Sequence, residues 1–341
     1  MAHDPAGRRL RVLVRTAGLG DVLMALCAAN AIRHTTGDKV MLVTAPQHRD
    51  IAAACPDIEQ VACSAAEFEA IRAAAGDDEI AVTQLGSPSF GIAREHQVDA
   101  YLRAVGIEAA PEHKALHLDL AEDDLQQARA LLARHPRPSS GRARILVHPA
   151  AGDPNRTWPA ERWMELTQAL IADGHQVVQI GAGRPGDAHG VHELVGPALA
   201  GSARFVDAAN RLSARATLAL MREADLLVSS DSGPVQLAGA TDIGIVGLYS
   251  VVPGRNRLPF RHGEAMWNAR AVEPVCRSFP CYDRMHDPAV MAPFVQAIRS
   301  GALDGGRLLS EWCPEDKSYR CMRAEIGVAQ VMEACAGLLS C

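Results

Sequence analysis

Two stretches far apart in this chain repeat one design. "RVLVRTAGLGDVL" at 11–23 and "RILVHPAAGDP" at 144–154 each run from an apolar strand into a small-residue turn and a polar helix entry. The apolar runs are continuous rather than alternating, the pattern of a strand buried on both faces. After the first turn, made by Gly18 and Gly20, the residues Val22, Leu23, Leu26, Ala29 and Ile32 recur at helical spacing, and "KVMLVTA" follows as a second strand. This is a βαβ unit, and such units imply a parallel sheet covered by helices.

The repetition sets the domain organisation. Residues 136–144, "PRPSSGRAR", are a polar break rich in Pro, Ser and Gly that reads as a linker. Beyond it Pro159 opens a helix with Trp163, Leu166 and Leu170 on one face, and "HQVVQIGAG", "ADLLVSSDSG" and "IGIVGLYS" read as further strands. The expected fold is α/β: two facing Rossmann-like domains, 1–138 and 139–341, with ligand in a cleft at the strand C-terminal ends. A length of 341 residues accommodates two domains. No glycine turn has the G-x-G-x-x-G spacing of a dinucleotide fingerprint at the first turn of a domain, and no Walker A motif is present.

Composition narrows the function. The 34 Lys and Arg against 40 Asp and Glu leave a net charge of −6, which gives no global attraction for nucleic acid. Aromatic residues make up 4%, too few for extended stacking platforms. No run of 18 apolar residues suggests a membrane span, which leaves peripheral contact with a membrane open. The N-terminal stretch lacks a signal-peptide h-region, so a cytoplasmic protein is expected. Nine cysteines in such a protein point to thiols or a metal rather than to disulfides.

The junction "LLVSSDSGPVQLAGAT" at 226–241 carries the chemistry. An apolar strand ends in Asp231, Ser232 and Gly233, and Pro234 suits a first helical turn. Unpaired N–H groups and a helix dipole at such a turn make an anion site, with phosphate as the usual guest. An ordinary helix cap by Asp or Ser is the plainer alternative.

Four blocks in order resemble glycosyltransferase family 9, the heptosyltransferases: "GLGDVLMALCAANAIR", "VHPAAGDPNRTWPAERWMELTQAL", "ADLLVSSDSGPVQLAGA" and the tail "CPEDKSYRCM" with Ile326 and Val331. "HQVDAYLRAVGI" is a smaller match. The resemblance implies the GT-B architecture and inverting transfer of heptose from ADP-heptose to a hydroxyl. It implies Asp21 as the catalytic base, against the plainer reading of Asp21 as a helix cap. It implies Arg156 as a diphosphate contact where the family typically has Lys, Arg offering a planar fork to phosphate oxygens. Ser232, Gly233 and the following N–H groups would hold the phosphates, and Asp231 would organise the loop and reach the donor sugar. Gln236 departs from the family, which usually has His there; Gln hydrogen-bonds but carries no charge. Asp187 corresponds to an acidic residue near the nucleotide, an acceptor for ribose hydroxyls. Ala151 and Gly152 fall where the family uses hydroxyl side chains or glycine, and only their backbone N–H groups can help.

No D-x-D triplet occurs, which favours metal-independent stabilisation of the leaving diphosphate. No cofactor is expected for catalysis. Cys276, Cys281, Cys313 and Cys321 are spaced as C-x4-C and C-x7-C. A four-cysteine iron site is known in the autotransporter branch of the family, so structural iron or zinc is one reading and buried thiols the other; four thiolates would leave no open position for catalysis. Cys27, Cys55, Cys63, Cys335 and Cys341 read as packing or tail residues. Between Asp38 and Arg134 there are 8 Lys and Arg against 17 Asp and Glu, a surface that would not attract an anionic lipopolysaccharide core. A glycan or protein hydroxyl is therefore the expected acceptor. An epimerase or phosphorylase on the same fold, or a binding protein without turnover, are the alternatives.

Overall fold

The computed structural model describes residues 9–74, 80–86, 94–137, 142–182, 198–282, 288–302, 313–315 and 318–340. The first half holds β1 (Leu10–Val14), β2 (Lys39–Val43), β3 (Gln60–Ala62) and β4 (Ile80–Gln84) in the order β3-β2-β1-β4. All pairings are parallel, with Leu10 opposite both Lys39 and Ile80. The second half contains β5 (Arg144–His148), β6 (Gln176–Gln179), β7 (Phe205–Asp207), β8 (Leu226–Ser230) and β9 (Gly244–Leu248). A small antiparallel ribbon, β10 (Phe260–Arg261) and β11 (Glu264–Ala265), precedes β12 (Ala269–Val272).

The second sheet runs β12-β9-β8-β5-β6-β7, again all parallel. Counted within its own half, this is the order 3-2-1-4-5-6, and the first sheet is its first four positions. In such sheets the crossovers leave β1 toward one side and return on the other, which opens a crevice at the strand C-terminal ends where the order reverses. For the first sheet that point lies beyond β1 and β4; for the second it lies beyond β5 and β8. The continuous apolar runs behave as their pattern requires: every residue of β5, β8 and β9 is buried.

Helices cover the sheets. In the first half these are α1 (Leu19–Thr36), α2 (Arg49–Ala53), α3 (Ala65–Ala74), α4 (Gln97–Ala104) and α5 (Glu122–Ala133). In the second they are α6 (Ala160–Ala172), α7 (Ala214–Met221), α8 (Gly233–Leu237), α9 (Pro288–Arg299) and α10 (Val328–Leu339). The central helix α1 is buried continuously from Val22 to Ile32. It packs on α4 of its own half and on α8 of the other, and α5 packs on α7. One apolar cluster therefore contains Leu13 and Leu26 together with Leu146 and Leu227. A second joins Ile145, Val147 and Val228 to Trp158, Trp163, Leu166 and Leu170, as the helical spacing of α6 predicts. The two indoles meet edge to face at 5.0 Å between centroids. No helix among the described residues is long and apolar enough to cross a membrane.

His96 ties the halves together. Its Nε2–H donates to the Leu258 carbonyl at 3.0 Å, and its Nδ1 accepts from the Val98 N–H at 3.2 Å. Both ring nitrogens are satisfied only in the neutral tautomer, since a proton on Nδ1 would face another N–H. Burial drives the imidazole down to about 4 from an ordinary 6.5. A depressed histidine contributes stability that is complete above pH 6.5 and is lost as the pH falls toward 4. The loss attributable to His96 is about 3 kcal/mol over that window. Denaturation curves of the wild type and His96→Gln between pH 7.5 and 4.5 (roughly the span of the imidazole titration) should converge at the acid end. Parallel curves would mean that His96 is not the group responsible.

Candidate active site

The topology directs attention to the turns beyond β1, β5 and β8. Beyond β1, Arg15 Nη2 pairs with Asp21 Oδ1 at 2.8 Å, Arg15 Nη1 donates to the Leu85 carbonyl at 3.2 Å, and the guanidinium lies 5.9 Å from the centre of the Tyr101 ring. Burial lowers the Arg15 pKa, but Asp21 and Tyr101 outweigh it and the net shift is upward. Burial pushes the Tyr101 phenol up to about 12, and the Asp21 charge adds to the effect. Asp21 lies in the first turn of α1, whose N-cap is Gly18, and makes no capping bond. The cap reading of Asp21 therefore does not hold. The Arg15 contact engages Oδ1 of this carboxylate.

Gly86 sets the geometry of this pair. Its φ of +113° is closed to most side chains, and a Cβ there would stand 1.7 Å from Arg15 Nη1.

Beyond β8, Asp231 is 5% exposed. Arg156 Nη1 donates to its carbonyl oxygen at 3.1 Å and lies 3.7 Å from its Oδ2. Arg156 Nη2 also pairs with Asp153. Arg156 is thus built into the site rather than solvated on the surface. Burial lowers its pKa, and Asp231 and Asp153 reverse that to a net rise. Ser232 is the N-cap of α8 by position, with φ −154° and ψ 173°, but its hydroxyl makes no cap bond. Instead Ser232 Oγ lies 3.1 Å from His148 Nδ1 and 2.9 Å from Ser229 Oγ, a buried network that fixes the turn. The helix behind the turn has only five residues before a 3₁₀ turn at Ala238–Ala240. The expected dipole contribution is therefore small, and individual N–H groups carry the anion-binding capacity. Gly233 opens α8, where its N–H has no carbonyl one turn earlier in the helix to receive it.

The turns of the two halves touch. A Cβ on Gly20 would stand 3.5 Å from Gly233 Cα and 3.5 Å from Gln236 Cγ, and a Cβ on Gly233 would stand 3.1 Å from Leu19. Gln236 is buried, and its Nε2 donates to the Arg257 carbonyl at 2.5 Å. Ala151 is half-buried, and Gly152 is exposed with open space where a Cβ would be. Asp187 lies outside the described residues.

Sequence reasoning missed Arg257, Tyr101 and His148 as members of this neighbourhood. Arg257 Nε lies 3.9 Å from Asp231 Oδ2, and its Nη1 donates to Gln97 Oε1 at 2.7 Å. The only signal was position: the loop after β9 lies next to the loop after β8 once the strand order is known.

The cysteines gather without closing on a metal. Burial pushes the Cys281 thiol up to about 12, with further contributions from Cys321, Cys313 and Cys276. Cys321 rises to about 11 from burial first and then from Cys276 and Cys313. The four thiols therefore share one locality. Among the described residues, however, no group of three His, Cys, Asp or Glu side chains is arranged to hold a metal ion. Cys27, Cys55 and Cys335 are buried, Cys63 is half-buried, and Cys341 lies outside the described residues.

A cavity of about 1200 Å³ lies at the opposite ends of the strands, lined by His175 before β6, Asp225 before β8 and Asp242 before β9. Two ion pairs lie in its lining: Arg137 with Asp225 at 2.8 Å, and His262 with Asp242 at 2.7 Å. The carboxylates and free N–H groups described above are not part of it.

The family model for glycosyltransferase family 9 (heptosyltransferase) matches residues 88–273, more than half of the chain. No curated protein matches. Among solved structures, the chain is similar to a family 9 glycosyl transferase from Veillonella parvula DSM 2008, with a TM-score of 0.66 and 17% identity over 97% of each chain. It is similar to the E. coli ADP-heptose lps heptosyltransferase II, with a TM-score of 0.55 and 16% identity over 78% of this chain and 91% of that one. It is also similar to the iron-containing dodecameric glycosyltransferase TibC from enterotoxigenic E. coli H10407, with a TM-score of 0.61 and 17% identity over 98% of this chain and 76% of that one. At these identities the likeness establishes the fold.

The Gly86 contact yields a prediction about the Arg15–Asp21 pair. Gly86→Ala should destabilise the protein more than Gly106→Ala, because Gly106 has a positive φ but open space around it. The backbone strain alone is about 1–3 kcal/mol. The excess at Gly86 should shrink in an Arg15→Ala background by the share the clash contributes, while the share due to its φ of +113° remains, read from denaturation midpoints as a double-mutant cycle. An excess unchanged in that background would place the clash elsewhere.

Proposed function

The chain belongs to glycosyltransferase family 9, and from that membership we propose that it is an inverting, metal-independent transferase acting on a nucleotide-sugar donor, with ADP-heptose as the favoured donor and a hydroxyl as the acceptor. The observation that carries this reading is the meeting of a carboxylate turn and a cation-rich turn. Asp21 follows Gly20, which packs on Gly233, and Gly233 follows Asp231 and its arginine partners.

In this reading the acceptor hydroxyl gives its proton to Asp21 as its oxygen attacks the anomeric carbon. Arg15 fixes the carboxylate through Oδ1 and leaves Oδ2 to take the proton. The bond from the anomeric carbon to the diphosphate breaks on the opposite face, which inverts the centre. The leaving diphosphate gathers charge, and Arg156 with the N–H groups of Ser232 and Gly233 stabilises it. The backbone of Ala151 and Gly152 lines the donor site, Asp231 holds the loop beside the sugar, and Asp187 accepts from the ribose hydroxyls. Residues 1–138 serve the acceptor and 139–341 the donor. A glycan or protein hydroxyl suits the acidic stretch between Asp38 and Arg134 better than an anionic lipopolysaccharide core does. Iron or zinc held by Cys276, Cys281, Cys313 and Cys321 would have no open coordination position, so any such metal serves the fold and not the transfer.

Calorimetric titration with ADP-heptose, UDP-glucose and GDP-mannose tests the donor. Selective binding of ADP-heptose is expected, and a preference for another donor overturns the heptose assignment. Asp21→Asn should bind donor as the wild type does and lose transfer by about 10²- to 10⁴-fold. Full turnover in that variant would remove Asp21 as the base.

A further inference from the structure

Of the three guanidinium groups around the site, Arg257 alone has its carboxylate neighbour beyond hydrogen-bonding distance. Arg15 is held by Asp21, and Arg156 by Asp153 and the Asp231 carbonyl. The Arg257 side chain is 10% exposed, and its Nε is buried without a hydrogen bond. The nearest carboxylate oxygen, Asp231 Oδ2, is 3.9 Å away, beyond hydrogen-bonding distance, and is itself buried without a donor. A buried N–H and a buried carboxylate oxygen thus stand short of each other. Each unmet group of this kind is costly to keep, which is the state expected of a site that a ligand completes.

Its position is nevertheless tightly specified. Gln97 on α4 receives Nη1 at 2.7 Å, and Gln236 on α8 holds the Arg257 carbonyl at 2.5 Å. The Arg257 N–H also donates to the Gly254 carbonyl at 2.9 Å. One glutamine comes from each half of the chain, so the guanidinium sits where the two halves meet, within electrostatic reach of both Asp231 and Asp21.

We propose that Arg257 is a second cation for the donor diphosphate, working beside Arg156, and that Gln97 and Gln236 are the positioning residues that aim it. The proposal rests on the reading of the site as a nucleotide-sugar site. It also gives Gln236 a role that needs no charge: the glutamine orients the loop, and the arginine of that loop supplies the positive charge.

The test uses the full chain and calorimetry with ADP, UDP and GDP, continued with whichever binds and with its parent nucleoside. Wild type is expected to bind one of the diphosphates. If it binds none, the nucleotide-sugar reading fails and the Arg257 assignment fails with it. Given binding, Arg257→Met should weaken the diphosphate by about 10- to 100-fold and leave nucleoside affinity unchanged. Arg257→Lys should recover part of the loss, because the charge remains while the fork is lost. Gln236→Leu should raise the donor KM more than it lowers kcat. Equal diphosphate affinity in wild type and Arg257→Met would overturn the proposal and leave the nucleotide-sugar reading intact. A parallel loss of nucleoside and diphosphate affinity would also overturn it, since that is the signature of a structural role.

Discussion

The site depends on a contact between two glycines. Gly20 closes the turn after β1, Gly233 closes the turn after β8, and the two backbones approach until a single Cβ would meet the opposite turn. Parallel sheets gather their functional loops at one end, but nothing in a single sheet makes it face another. Here the tight point is Gly233, where a Cβ would stand 3.1 Å from Leu19, closer than side chains ordinarily pack. The flanking residues then follow: Asp21 is one position beyond Gly20, Ser232 and Asp231 are just before Gly233, and Gln236 lies one turn further on.

Around this contact the charges are nearly balanced before any ligand arrives. Arg15 answers Asp21, and Arg156 and Arg257 lie about Asp231 with Asp153 alongside. Buried charges persist only with partners, and removing one of a pair leaves the other stranded at a cost of about 3–5 kcal/mol. An anionic ligand entering such a place exchanges partners within an existing lattice. This explains why Arg156 and Arg257 can remain charged despite burial: their carboxylates outweigh the penalty of leaving water.

The sequence was legible where local pattern and chemistry coincide. The runs of β1, β5, β8 and β9 declared themselves as buried strands, and the spacing of Trp163, Leu166 and Leu170 correctly gave the buried face of α6. β3, β7 and β12 are three or four residues long and too short to show a period, so they emerged only from pairing in the sheets. Asp21, Arg156 and the Asp-Ser-Gly turn could be singled out because each adjoins a glycine turn. Arg257 and Tyr101 could not, since they reach the site through strand order and helix packing. The cap readings of Asp21 and Ser232 fail for the same reason: each side chain prefers a distant partner, Arg15 or His148, that no local pattern reveals.

The continuity of the apolar core across the two halves bears on how the protein can move. A chain with a polar stretch at 136–144 invites the picture of two rigid bodies swinging about a joint. The packing of α1 on α8 and of α5 on α7 opposes that picture, because a swing would pull apart helix faces that are buried in one cluster. Close-packed side chains tolerate small sliding far better than separation. Packing of this kind confines any displacement of one sheet against the other to a sliding of α1 along α8, with an amplitude limited to what interlocked side chains permit without leaving their rotamers.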